Sequence, residues 1–512
     1  MSTNAISSRR LNREVSRRRE QREQGLAVML TAIMLLFTLP AVGLAIDAGL
    51  LYVIRGRLTA ACDAAALATA RNLNLGTTLA AQESAAIARG RVFFLANFPD
   101  GYLGTSGATP TITLAQTNMS TLTVSATATT SAPLYFMRIL GGSATVAGAY
   151  GKASRRGVNL MLVLDRSGSM AGTPCSTMIS SAKNFANMFS NQRDRLGLVT
   201  FGSSIYLAYP PSKEFLTSGS LITTAIDGIA CSGGTNTSDS YMMAYNQLTA
   251  INEPLALNMI VFFTDGYPTA LTARFPVKTV DDTRYGAQGY SCTTGSQCTI
   301  PKSLCTDEAG KTSGQSGWGS FPNGKVGSLA AATPSSSSTG NTLGLMQRFA
   351  TDSNSGDTMQ TASTLSGCAM ITQSNTWIHA RRDLAYIPDS DINGLLTTGY
   401  QGVTLFPNNH AAYPNRKRLD MPINIQNTAM NLADNAAQTS RNNSTLNIVT
   451  YTLGLDGNGG VDGTLLRRMA NDPASNIYDD AKTDGLYVYA ASSAELNAAF
   501  ARIAGEILRL AQ

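Results

Sequence analysis

The sequence predicts an α/β fold: a doubly wound, mostly parallel sheet with helices on both faces, behind an N-terminal transmembrane helix and a small α+β stem. Three observations carry that expectation. From Gly157 onward, apolar runs rich in β-branched residues alternate with helical patterns, the order of a buried parallel sheet. Residues 26–46 form a 21-residue stretch without a charge, which at about 1.5 Å per residue crosses a hydrocarbon core of about 30 Å. Between the two lies an alanine-rich helical pattern followed by short β-branched runs. At about 150 residues per domain, 512 residues suggest roughly three units.

In chain order, residues 1–24 hold Arg9, Arg10, Arg13, Arg17, Arg18, Arg19 and Arg22 against Glu14, Glu20 and Glu23, a side-chain charge of +4. The whole chain is +6, so the other residues contribute only +2. The basic excess is a short tail and not a domain surface, which argues against a nucleic-acid-binding face. Arginines ahead of the apolar stretch predict a cytoplasmic N-terminus, with everything after about residue 47 on the far side of the membrane. Gly43-Leu44-Ala45 also fits a signal-cleavage pattern. However, the stretch is longer than a signal core and the helical pattern runs on through Ile54, which favours a retained anchor. Charged residues are only 14% of the chain, against about 25% in soluble globular proteins. The balance is an exported one.

Residues 47–90 read as helix, ended by turn signals at Pro99, Asp100, Gly101, Gly104 and Gly107. Thr111–Leu114 and Thr121–Thr129 alternate as strands do. An apolar run, Leu134–Leu140, and a short strand, Ala144–Ala149, follow. Asp47 ends the apolar stretch and reads as the partner of a basic residue on a neighbouring subunit, or as a hydrated interfacial carboxylate. Cys62 is left over from an otherwise even set of six cysteines beyond residue 170, and reads as a small helix residue. An even set suits disulfides in an oxidising compartment, and the spacing of Cys292, Cys298 and Cys305 matches no zinc pattern.

In the second regime the strand candidates are Leu160–Leu164, Leu196–Phe201, Met259–Thr264, Leu446–Leu453 and Leu486–Tyr489. The helix candidates are Cys175–Ser190, Ser238–Thr249, Pro422–Ser440, Gly463–Ala470 and Ala494–Leu510. The last places Leu496, Phe500, Ile503, Ile507 and Leu510 on one face. Residues 271–415 break the alternation. They are rich in Gly, Ser and Thr, hold four cysteines, and are too long for a loop. They read as an inserted, disulfide-stapled module whose most mobile part is Gly310–Asn341.

Asp165-Arg166-Ser167-Gly168-Ser169 follows the first of these strands directly. Ligands of open α/β sheets bind beyond the carboxyl ends of strands, so Asp165, Ser167 and Ser169 belong on the binding edge. Gly233-Gly234-Thr235-Asn236-Thr237 precedes a helix, and Thr264-Asp265-Gly266 follows another strand. Carboxylate and hydroxyl oxygens without His or Cys suit a hard cation, and few protein ligands suit Mg²⁺, with Mn²⁺ as the alternative. Two carboxylates at most neutralise the ion, so an open coordination position would take a carboxylate from a partner. Asp389, Asp391 and Asn393 match the first half of a calcium loop, but Tyr400 stands at its twelfth position, where Ca²⁺ calls for Glu. The alternative is an Asx-rich turn. Cys175 and Cys231 flank two of the proposed metal loops and are candidates for a disulfide. His379 and His410 are the only histidines, and no nucleophile motif accompanies them.

The oxygen-bearing loops resemble the metal-ion-dependent adhesion site of von Willebrand factor type A domains. The resemblance covers about 157–270 and 416–512 and maps Asp165, Ser167, Ser169, Thr235 and Asp265 to the metal site. Asp47, Tyr52, Arg55, Arg57, Leu58 and the run Ala61-Cys62-Asp63-Ala64-Ala65-Ala66 resemble TadE/TadG-like subunits of the tight-adherence pilus system. Gly25 is followed five residues on by Leu30, not Glu, a departure from prepilin-type cleavage sites. The combined resemblance implies a basic cytoplasmic tail (1–24), a transmembrane helix (25–54), a pilin-like stem (55–156), an A-type domain (157–270 and 416–512) and an insertion (271–415). It implies a non-enzymatic pilus assembly or adhesion protein of a bacterial inner membrane, its bulk periplasmic or extracellular. Its partners would be the membrane, other pilin-like subunits and an acidic group at the metal, with no nucleic acid. The competing readings are an exported enzyme with activity in the insertion, and a scaffold that needs no metal.

Overall fold

The structure, a computed structural model, describes residues 4–511 except 77, 119, 218, 220, 277–281, 286–296, 301–324, 332–341, 355–383, 401–415, 418–421 and 457–459. The expected mobile segment Gly310–Asn341 falls mostly outside the described residues. So do Cys292, Cys305, Cys368, His379 and His410. The chain forms two compact units, one of residues 1–72, 83–115 and 123–154, the other of 73–82, 116–122 and 155–512.

The smaller unit begins with α1 (Asn4–Arg71), which runs unbroken past Pro40. Its C-terminal half buries Ile54, Leu58, Ala61, Cys62 and Ala65, each three or four residues from another of the set and therefore on one face. The helix expected over 47–90 is in fact two. The chain leaves α1 through Asn72–Gly76, where Gly76 takes a positive φ of 115°. It restarts as α2 (Leu79–Asn97), where the Thr78 hydroxyl accepts the Ala81 N–H at 3.3 Å. Alanine richness made the two helices look continuous. Phe94 of α2 and Phe98 just after it join the core, as do Val124, Ala126 and Ala128 of β2 (Thr121–Pro133), alternating with exposed or half-buried residues. A Cβ at Gly90 would lie 2.1 Å from Thr69 Oγ1, so only glycine allows α2 to approach α1 this closely. The sheet runs β1 (Ser106–Asn118), β2, β3 (Ala144–Arg156). The run Leu134–Leu140 ends in a 3-10 turn over Met137–Leu140.

Asp47 departs from both expectations. It is buried, and its carboxylate accepts the backbone N–H groups of Tyr135, Phe136 and Met137 at 2.8–3.1 Å. A contact 88 to 90 residues away in sequence leaves no local pattern to read.

The larger unit is built on β4 (Val158–Asp165), β5 (Arg195–Phe201), β6 (Ile205–Ser212), β7 (Leu257–Thr264), β13 (Val449–Leu455) and β14 (Leu486–Ala490), in the order β14-β13-β7-β4-β5-β6. All pairs are parallel except β5 with β6. All eight residues of β4 are buried, as a central strand covered on both faces requires. On one face Leu160, Leu162 and Leu164 meet Met178 and Phe185 of α3 (Thr173–Ala186) and Phe500 and Ile503 of α8 (Leu496–Leu510). On the other, Met161 and Val163 share a core with Tyr241 of α5 (Thr237–Ile251), Ile425 and Leu432 of α6 (Pro422–Arg441), and Met469 of α7 (Gly463–Ala470). A short α4 (Ile222–Asp227) lies between β6 and α5 in sequence.

Much of the described part of 271–415 contributes to that second core. A three-stranded antiparallel sheet is formed by β8 (Ala270–Phe275), β11 (Lys325–Ala331) and β12 (Thr342–Met346) in the order β12-β11-β8. Its Leu271, Phe275, Leu329 and Leu345 pack with the α5–α6 side, and so do Leu384, Ile387 and Leu395. A separate hairpin pairs β9 (Asp282–Tyr285) with β10 (Gln297–Ile300).

Candidate functional site

The chain leaves β4 toward β5 on one side, while β7 pairs with β4 on the other. This is the point where the strand order reverses, the place at the carboxyl edge where open α/β sheets bind ligands. Register places Leu164 beside Phe263, so Asp165 is level with Thr264 and Asp265 lies one residue beyond. Asp165 is fully buried; its Oδ1 accepts the Ser167 N–H at 2.7 Å and its Oδ2 accepts the Thr264 hydroxyl. The Ser167 and Ser169 hydroxyls lie 3.0 Å apart, and Ser169 Oγ donates to Asp265 Oδ1 at 2.7 Å. Four of the five proposed ligands thus form one hydrogen-bonded chain. The other oxygen of Asp265, Oδ2, is buried without a hydrogen-bond partner.

The fifth residue, Thr235, is held by its backbone. Its N–H donates to Thr269 Oγ1 at 3.0 Å, and its carbonyl accepts from the N–H groups of Thr269 and Ala270. The Gly168 N–H donates to the Gly233 carbonyl at 2.9 Å, which fastens the glycine pair to the Asp165 loop. Among the described residues no hydrogen bond joins the Thr235 hydroxyl to the other four. Thr237 Oγ1, two residues on, is buried without a partner. Cys175 of α3 and Cys231 form a disulfide, with Cα atoms 6.2 Å apart, that links the segments following and preceding these two loops.

Burial raises the pKa of both carboxylates; the Asp265 charge lifts Asp165 further. Two carboxylates in a dry edge resist ionising together unless a cation or protons compensate. The donor set is oxygen only, with one carboxylate oxygen unpaired, and it fits a hard divalent ion. No group of three or more His, Cys, Asp or Glu side chains with metal-binding spacing occurs among the described residues. Such a site must therefore draw on hydroxyls. Two residues that local reading did not assign support it. Thr264 bonds Asp165 directly. Asn236 ties the glycine loop to the Ser203 carbonyl, Thr272 and Ser328 at 2.8–3.1 Å. The first was legible as part of the Thr-Asp-Gly string; the second depends on strands distant in sequence.

The Asp389–Asn393 segment is arranged differently. Asp389 is exposed and paired with Arg416 at 2.6 Å and Lys417 at 2.7 Å. Asp391 Oδ1 accepts the N–H groups of Asn393 and Leu395 at 2.8 Å, the bonding of an Asx turn. The Asn393 amide bridges Asp391 and Asp239. Asp391 and Asn393 come together, while Asp389 turns to its cations.

Residues 160–267 match the family model of the von Willebrand factor type A domain. They lie in the larger unit, whose sheet is the doubly wound one expected of an A-type fold. Residues 25–72 match the model of putative Flp pilus-assembly TadE/G-like proteins, so the chain joins a TadE/G-like N-terminal region to that domain. A search of curated proteins returned no match. Among solved structures, the chain is similar to the vWF domain of the type V pili tip protein Mfa5 from Porphyromonas gingivalis (18% identity, 70% of this chain, 98% of that one, TM-score 0.34). It is also similar to the PilB minor pilin from Streptococcus sanguinis (12% identity, 80% of each chain, TM-score 0.33). A third is the pilus adhesin RrgA from Streptococcus pneumoniae (12% identity, 77% of this chain, 48% of that one, TM-score 0.31). Superpositions this loose carry no argument about function.

Proposed function

We propose that this is a membrane-anchored, non-enzymatic pilus assembly or adhesion protein of the tight-adherence type, acting through a Mg²⁺-dependent contact. Asp165, Ser167, Ser169, Thr235 and Asp265 would hold the ion. When bound, it supplies an electrophilic position for a carboxylate of a partner protein. Protein contacts hold the would-be ligands in place: Thr264 and the Ser167 amide fix Asp165, and the Cys175–Cys231 disulfide ties the flanking segments together. The apolar stretch of α1 anchors the chain in a bacterial inner membrane with its arginine tail in the cytoplasm. The carrying observation is the hydrogen-bonded chain Asp165–Ser167–Ser169–Asp265, which ends on a buried carboxylate oxygen without a partner.

The test is calorimetric titration of Mg²⁺ into the full chain in detergent, comparing wild type with Asp165→Ala. Binding in the wild type and its loss in the variant are expected. Equal binding in both removes the metal site. Cells carrying Asp165→Ala with Ser167→Ala should lose adhesion while retaining the folded protein; unchanged adhesion would leave the domain as a scaffold.

A further inference from the structure

Between residues 25 and 49, every position is exposed except Gly43 and Asp47. The two lie four residues apart and so share a helix face. Both face the turn after β2. A Cβ at Gly43 would lie 2.7 Å from the Phe136 Cβ, so only glycine admits the turn at that distance. One helical turn further on, the Asp47 carboxylate collects three successive backbone N–H groups, those of Tyr135, Phe136 and Met137. The turn is thus held by a notch in α1: its backbone is bound by Asp47 and one side of the Phe136 side chain lies against Gly43, while the rest of that ring and Tyr135 stay open. Tyr135 is 58% exposed and Phe136 44%, and Arg138 is exposed beside them.

The notch lies where the uncharged stretch Leu26–Ile46 ends. That stretch is long enough for one hydrocarbon core, which puts Asp47 and the turn at its boundary. In water, three unpaired amides find solvent. At the edge of the hydrocarbon solvent is scarcer, and a backbone that dips into it must be satisfied by protein. Asp47 provides that satisfaction. Tyr and Trp side chains concentrate at this depth, and basic residues there reach lipid phosphates. Resting on the membrane-spanning reading of α1, we infer that residues 134–138 are a second membrane-contacting element. Tyr135 and Phe136 sit in the headgroup region of the leaflet through which α1 leaves the bilayer. The stem is thereby held to the bilayer at two points, which restricts its rotation about α1.

The experiment uses full-length protein in phosphatidylcholine vesicles, with and without lipids brominated on the upper acyl chain, a contact quencher of tryptophan. Tyr135→Trp and Phe136→Trp probe the turn and Phe37→Trp probes the span. Tyr150→Trp, an exposed position on β3, is the control. Emission is read as the difference from the parent, which has two tryptophans of its own. The turn probes should lose about half of their added emission in brominated vesicles, Phe37→Trp should also be quenched, and Tyr150→Trp should be unchanged. Unquenched turn probes beside a quenched Phe37→Trp overturn the inference and leave the span intact. An unquenched Phe37→Trp removes the span, and the inference with it. Adding Asp47→Ala to Tyr135→Trp should abolish the quenching at the turn alone; retained quenching would show that the notch does not place it.

Discussion

Asp165 and Asp265 occupy adjacent strand ends, and their shared burial makes the empty and loaded site respond to pH in opposite ways. Burial and the Asp265 charge raise Asp165 to about 7, and Asp265 is raised as well. In the unfolded chain such carboxyls titrate near about 3.9. A carboxyl raised on folding contributes stability that is fully present below its unfolded pKa and lost as pH rises through the folded one. Without metal, the A-type domain should therefore lose stability between about pH 4 and pH 7. A divalent ion needs both ligands deprotonated, so its stabilisation grows over the same window. Melting curves with Mg²⁺ and with chelator should diverge more at about pH 8 than at about pH 5, and Asp165→Asn should flatten the difference. A divergence independent of pH would remove the carboxylate pair from the site. Asp165, Ser167, Ser169 and Asp265 were legible because strand-end position and residue type sit together in short strings. Asp47 was not, since nothing near it in sequence announces the amides it binds.

At the scale of elements, two contacts hold parts that the chain brings together late. The Cys175–Cys231 disulfide closes 56 residues of sequence. By chain entropy a loop of that length contributes up to about 4 kcal/mol, and native disulfides commonly contribute about 2–5. Replacing both cysteines by serine should lower the unfolding midpoint of the A-type domain and weaken Mg²⁺ binding; calorimetry and thermal melts read the two effects separately. Arg468 of α7 is buried and paired in a fork with Asp434 of α6, at 3.0 and 2.7 Å. Asp434→Ala leaves that guanidinium buried and uncompensated, a loss of about 3–5 kcal/mol. Urea denaturation should show it, whereas an unchanged midpoint would mean that water reaches Arg468. The strands of the main sheet were readable wherever apolar residues run together. The edge strand β6 was not, because it is half exposed and carries Pro210 and Pro211, residues that only an edge tolerates. The short α4 and the break between α1 and α2 escaped for a related reason. Alanine-rich and small polar stretches carry little periodicity, and tertiary contacts decide them.

For the whole molecule, charge is distributed along the chain and not across a surface. Of a net +6, the first 24 residues carry +4, immediately before the only span found among the described residues. The sequence alone therefore sets a basic tail and an apolar helix apart from the rest of the chain, the division expected of a tail, an anchor and an exported body. It does not expose that strands β8, β11 and β12 share one core with α5 and α6, since β8 and β11 meet across 50 to 60 residues. The charge asymmetry has a consequence at this scale. Basic residues resist transfer across the membrane against its potential, and those next to a span set its orientation. Changing Arg17, Arg18, Arg19 and Arg22 to Gln makes the tail neutral by side-chain count and leaves the uncharged stretch Leu26–Ile46 unchanged. In cells carrying a C-terminal alkaline phosphatase fusion, that variant should show several-fold lower phosphatase activity per unit of protein. A reporter that is active only in the cytoplasm should show the reciprocal rise. If phosphatase activity is unchanged, the arginine tail does not set the topology, and the orientation must come from folding of the exported body.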